Sequence, residues 1–166
     1  LLAYGVVFAL ISLWWITLRP SNQRQWRDEL VHMATGEVRG NQVTLHHVRH
    51  FDWRSESDYS PRWEVRHYDL DRLVAVDMLL SYWTGPAVAH TLVSFGFEDG
   101  SQVAFSVEIR KEQDEQFSEL GGFFKRFELS IIAADERDIV RVRTNVRRED
   151  VYLYRVALAP EALASR

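Results

Sequence analysis

Cysteine is missing altogether from the 166 residues. Its absence excludes disulfides, leaves the redox compartment unmarked, and excludes a thiol nucleophile supplied from within these residues. A strong excess of either charge is missing too. A formal net charge of −4 leaves no basic footprint, and no nucleic-acid partner is expected. Between Leu1 and Leu18 there is neither charge nor proline, and Arg19-Pro20 ends the run. As a helix this stretch would be roughly 27 Å long, close to the ~30 Å hydrocarbon core of a bilayer. Trp14 and Trp15 suit the lipid–water interface. The basic stretch and small-residue cleavage site of a secretory signal are also absent. A transmembrane helix over 1–18 is therefore expected, with a buried core helix as the alternative. The chain starts at Leu rather than Met, so it is expected to be a piece of a longer protein. Arg19, Arg24 and Arg27 after the apolar run nominally favour a cytoplasmic side for the rest of the chain.

With 46% apolar and 13% aromatic residues, the remainder has enough to bury one core. Its most informative stretch runs from Ala87 to Arg110. Two alternating apolar runs flank Glu98-Asp99-Gly100, which predicts a β-hairpin closed by glycine in the left-handed region. Thr91, Val93, Phe95 and Phe97 fall on one face as its greasy side. His90, Leu92, Ser94 and Gly96 fall on the other, with Ala104, Ser106 and Glu108 across from them. A three-residue loop pairs Phe97 with Ser101, and counting back sets His90 opposite Glu108 and Ser94 opposite Ala104. Directly opposed residues have Cβ atoms roughly 4.5–5.5 Å apart, within reach of an imidazole–carboxylate hydrogen bond. A carboxylate there fixes the ring tautomer and supports its cationic form, as general-base chemistry requires. A polar pair on a solvated sheet face would have the same pattern. Ser94 lies roughly 13 Å along the strand from His90, too far to be its nucleophile.

Elsewhere the pattern predicts a hairpin about Gly40-Asn41 and strands over Trp63–Leu70, Leu73–Trp83, Phe127–Ala134 and Val151–Leu158. A short helix is expected within Lys111–Lys125, and another opening at Pro160. Asp135–Arg148 suits a helix by its acidic start and a strand by its Val/Arg alternation. Its arginines are interleaved with carboxylates, which predicts an ion-paired surface. Phe51–Arg62 is polar and aromatic and is expected to be a long surface loop; Trp53, Tyr59 and Trp63 are candidates to cover a ligand, or to pack in the ordinary way. On a strand His46 and His50 share a face and His47 points away, so no metal site is expected. No cofactor is expected. The class is α+β with a mostly antiparallel sheet.

Several strings resemble the Lnb N-terminal periplasmic domain family: Phe51-Asp-Trp-Arg-Ser-Glu-Ser-Asp-Tyr59, Pro61-Arg-Trp-Glu64, Leu80-Ser-Tyr-Trp83, Ala89-His-Thr-Leu-Val-Ser-Phe-Gly-Phe97, Ser106-Val-Glu-Ile-Arg-Lys-Glu112 and Ala134-Asp-Glu-Arg-Asp138. The resemblance covers about Gln42 to Tyr154. It implies a bacterial inner-membrane protein with this domain on the periplasmic side, against the charge argument above. It also implies a permuted papain-like thiol fold in which the histidine strand precedes a cysteine in an Asn-Cys-Thr type motif. By that resemblance His90 matches the histidine, and Glu108 is the candidate third residue. The cysteine is expected after Arg166, which makes 35–166 an incomplete, C-terminally truncated domain behind a linker and short segment over 19–34. The implied function is a membrane-anchored cysteine-type acyltransferase or amidase-like domain acting on a membrane lipid or lipoprotein substrate. The alternative is a non-catalytic periplasmic binding or scaffold domain using the Phe51–Trp63 aromatics.

Overall fold

The computed structural model describes residues 2–116, 118, 121–122, 124 and 127–157. Helix α1, Leu2–Thr17, is followed by a short helical turn at Asp28–Leu30 and then by ten strands. These are β1 (Thr35–Arg39), β2 (Gln42–Arg49), β3 (Asp52–Trp53), β4 (Tyr59–Ser60), β5 (Trp63–Asp69), β6 (Leu73–Tyr82), β7 (His90–Phe97), β8 (Gln102–Arg110), β9 (Glu128–Ala134) and β10 (Asp150–Arg155). Between the last two lie α2, Glu136–Arg141, and a π-helical turn over Val142–Val146.

The main sheet runs β1-β2-β9-β8-β7-β6-β10, with β5 also paired to β2. Every pairing is antiparallel except the short parallel contact of β2 with β9. The expected α+β class with a mostly antiparallel sheet is what the chain adopts. One face buries Leu79, Leu92, Ala104, Ile132 and Ala134 under Leu30 and Ile139 of α2. The other gathers Val48, Tyr68, Phe97, Val103 and Ala133.

The hairpin has the expected register. Phe97 N–H donates to Ser101 O at 3.0 Å, and Gly100, at φ +80°, closes the loop. Leu92 pairs with Ser106 and Ser94 with Ala104. The faces, however, are weighted differently from the expectation. Leu92, Ser94 and Ser106 are buried, whereas Thr91 and Val107 on the supposedly greasy side are exposed. The reason is α2, which packs Ile139 onto the His90 face.

Three further expectations change. The apolar N-terminal segment forms a helix of 16 residues, about 24 Å long. No helix among the described residues is long and apolar enough to cross a membrane, so the span expected over 1–18 is not supported. None of the residues of α1 is buried, so the core-helix alternative fails as well. Phe51–Arg62 is not a free loop. Strands β3 and β4 pair there, and Phe51 and Trp53 pack with Val142, Tyr59 and Trp63 as a third apolar cluster. The ambiguous Asp135–Arg148 segment is helical. Asp135 caps it by accepting from Arg137 N–H at 2.8 Å, and local capping outweighs the alternation of valine and arginine. Within Lys111–Lys125, where a short helix is expected, residues 117, 119, 120, 123 and 125 lie outside the described residues, and the helix expected at Pro160 lies wholly outside them.

Candidate functional site

A row of polar residues crosses four strands at one end of the face covered by α2. Ser81 on β6 pairs with His90 on β7, and Glu108 on β8 pairs with Ser130 on β9. Continuing the β7–β8 register outward by two residues sets His90 and Glu108 side by side. Their side chains meet, with His90 Nε2 3.3 Å from Glu108 Oε1. Ser106 on the same face bridges them. Its Oγ lies 2.6 Å from His90 Nε2 and donates to Glu108 Oε1 at 2.8 Å. All these contacts use Nε2; among the described residues Nδ1 makes no hydrogen bond.

Glu108 is held from the other side by Arg143, whose Nη2 donates to Oε1 at 2.6 Å. Arg143 is buried, and its Nη1 donates to Glu149 at 3.2 Å. Ser81 Oγ donates to that same Glu149 carboxylate. Burial alone would raise the Glu108 carboxyl pKa. The hydrogen bond to His90 and the charge of Arg143 outweigh it and hold the group well below the usual carboxylate range.

The π-helical turn supplies this clamp. Arg147 N–H donates to Val142 O at 2.9 Å, five residues back, so the helix widens by one residue just after α2. Widening there turns Arg143 toward Glu108 and Glu149. The base of α2 is fixed by Asp138, which is fully buried and accepts four hydrogen bonds. Arg49 donates twice at 2.9 and 3.0 Å, Phe51 N–H at 2.8 Å and the Trp53 indole at 2.7 Å. The segment expected to carry a surface charge array thus supplies two buried ionic centres.

A cavity of about 300 Å³ opens beside this network. His90, Glu108, Arg143 and Glu149 line it with Trp83, Lys111 and Arg147. Of the three aromatic candidates, Trp53 reaches the cavity wall, while its indole N–H is committed to Asp138. Tyr59 and Trp63 stay in the cluster around Phe51 and do not line the cavity. Ser94 donates to Glu136 at 2.5 Å, away from His90.

The three clustered histidines diverge. A bulge in β2 puts His47 at φ +59° and stacks it on His32 at 4.6 Å, while His50 faces Glu64 at 3.1 Å. Among the described residues no group of three His, Asp or Glu side chains is placed to hold a metal ion.

The fold is an α+β domain with a mostly antiparallel sheet, and it brings a His–Glu pair to the wall of a cavity. Within that class, residues 59–165 match the family model described as the Lnb N-terminal periplasmic domain, and the chain belongs to that family. The description places the domain in the periplasm, which overrides the weak charge argument for the cytoplasm. The match begins later than the resemblance read from the sequence and runs further toward the C-terminus. No curated protein and no solved structure is similar enough to the chain to count as a match.

Proposed function

We propose that this chain carries the imidazole half of a thiol acyl-transfer or amide-cleaving site. The observation behind this reading is the asymmetry of His90. Its Nε2 is engaged by Ser106 and Glu108, and Nδ1 is left to a reacting group. Glu108, kept ionised by Arg143, holds the ring tautomer with hydrogen on Nε2 and balances the imidazolium.

Nδ1 would then take the proton of a cysteine thiol supplied from outside these 166 residues. The thiolate attacks a substrate carbonyl, and a thioester forms as the carbonyl–oxygen or carbonyl–nitrogen bond breaks. The imidazolium returns its proton to the departing alkoxide or amine. An incoming amine or water then cleaves the thioester. The permuted papain-like arrangement expected from the sequence belongs to this proposal, as does a lipidated substrate. Helix α1, apolar and without a buried residue, supports association with a bilayer. The binding-domain alternative is weakened because Phe51 and Trp53, at 1% and 3% exposure, lie in a packed cluster.

In the full-length protein, iodoacetamide should alkylate one cysteine fast at neutral pH. His90→Ala and Glu108→Gln should each slow that reaction by roughly tenfold or more at a temperature where circular dichroism shows both variants folded. Unchanged alkylation rates in both variants would remove these roles.

A further inference from the structure

The cavity at His90 does not stop at the polar row. Trp83, Arg147 and Glu149 also line a second cavity, whose walls include Tyr82, Arg148, Tyr152 and Tyr154. The two therefore form one groove with Arg147 at the junction. Its lining holds five cations, Arg49, Lys111, Arg143, Arg147 and Arg148, against four carboxylates, Glu29, Glu108, Glu149 and Asp150. Arg143 and Arg49 are spent on Glu108, Glu149 and Asp138. Lys111 and Arg148 make no ion pair or side-chain hydrogen bond among the described residues. Arg147 has only loose partners, Glu56 at 3.7 Å and Glu149 at 3.8 Å.

Around Lys111 the cations crowd each other. Arg27, whose guanidinium donates to the carbonyls of Glu112 and Glu115, and Arg147 both act on it. Burial first, and then these two charges, lower the Lys111 pKa against the opposing pull of Glu29 and Glu108. A divalent anion would relieve that repulsion. Arg148, at φ +56°, is the left-handed cap of the helical turn, with Glu149 N–H donating to Arg143 O at 2.9 Å. The far wall is aromatic, and Trp83 on it also meets the His90 ring at 6.3 Å. Trp83, Tyr152 and Tyr154 are about half exposed, and Tyr82 meets Tyr152 edge to face at 5.9 Å.

We propose that this groove binds a phosphate ester, with the phosphate between Lys111 and Arg147 and its carbon chain along Trp83 and Tyr152. Guanidinium and ammonium groups converge on phosphate oxygens, and aromatic faces cover an apolar chain. The inference rests on reading the His90 cavity as the substrate cavity. It adds the chemical group that would orient a substrate there.

The test is titration calorimetry on the full-length protein with three probes: octyl phosphate below its micelle concentration, inorganic phosphate, and octanol. Octyl phosphate should bind tightest. Lys111→Gln and Arg147→Gln should each weaken it by about tenfold, and rising salt should weaken it further. Arg39→Gln, on an exposed pair with Glu37, should change nothing. Equal affinity for octanol would overturn the anionic part, and equal affinity for inorganic phosphate would overturn the aromatic part. Melting temperatures of the variants separate lost binding from lost fold. His90→Ala distinguishes the two readings, because it ends acyl transfer and leaves the phosphate contacts in place. Octyl phosphate binding that survives in His90→Ala while alkylation is unaffected by it would retire the acyl-transfer reading alone.

Discussion

Arg143 Nη2 donates to Glu108 Oε1 at 2.6 Å, on the same oxygen that lies 3.3 Å from His90 Nε2. One carboxylate oxygen thus joins a permanent cation to a titratable one, and the arginine decides how readily that oxygen gives up its charge. A Met at position 143 keeps the apolar stem and removes the charge. Arg143→Met should move the Glu108 carboxyl titration up toward the ordinary carboxylate range, read from its side-chain carboxyl carbon by NMR. Arg143→Lys should recover part of the shift. A titration that stays in place would show that the hydrogen bonds from His90 and Ser106 suffice.

The same depressed pKa makes stability depend on acid. Glu108 is more acidic folded than unfolded, so its contribution is full above the unfolded carboxylate pKa. It is lost as pH falls through that value toward the folded one. Urea midpoints of the natural protein should therefore drop between about pH 5 and pH 2 more steeply than those of Glu108→Gln. Parallel curves for the two proteins would contradict the assignment.

Asp138 anchors the helix that carries the clamp. Asp138→Ala leaves Arg49 buried and unpaired and strands two N–H donors, from Phe51 and the Trp53 indole. It should cost roughly 3–5 kcal/mol in urea unfolding. Asp138→Asn keeps an acceptor oxygen and should cost less. A loss under about 1 kcal/mol would mean that water reaches Arg49 in the variant.

The hairpin was legible because its signals are local. A period of two, an Asp-Gly turn and a three-residue loop determine which residues meet, and no distant contact is needed to bring His90 to Glu108. Arg143 was not legible for the opposite reason. It reaches Glu108 across 35 residues of chain, and a widened helical turn directs it there, so neither the strand nor the α-helix period carries its signal. Asp138 sits in an acidic helix start, where exposed carboxylates are common, and only the fold reveals its four donors. The aromatics of Phe51–Trp63 misled because their polar neighbours suggested a loop, whereas a two-residue strand pairing turns Phe51 and Trp53 inward.

The widened turn after α2 also sets what kind of genetic change this site can absorb. A substitution at Thr144 or Asn145 alters one side chain and leaves the path of the chain alone. Removing one of these residues lets the turn close to ordinary α-helix, because the widened turn spreads one rotation over one residue more than an α-turn does. The chain beyond it keeps nearly the same facing, so β10 can stay in step with β6. Across the family, the segment between β9 and β10 should tolerate the loss of one residue at this turn and no other change of length.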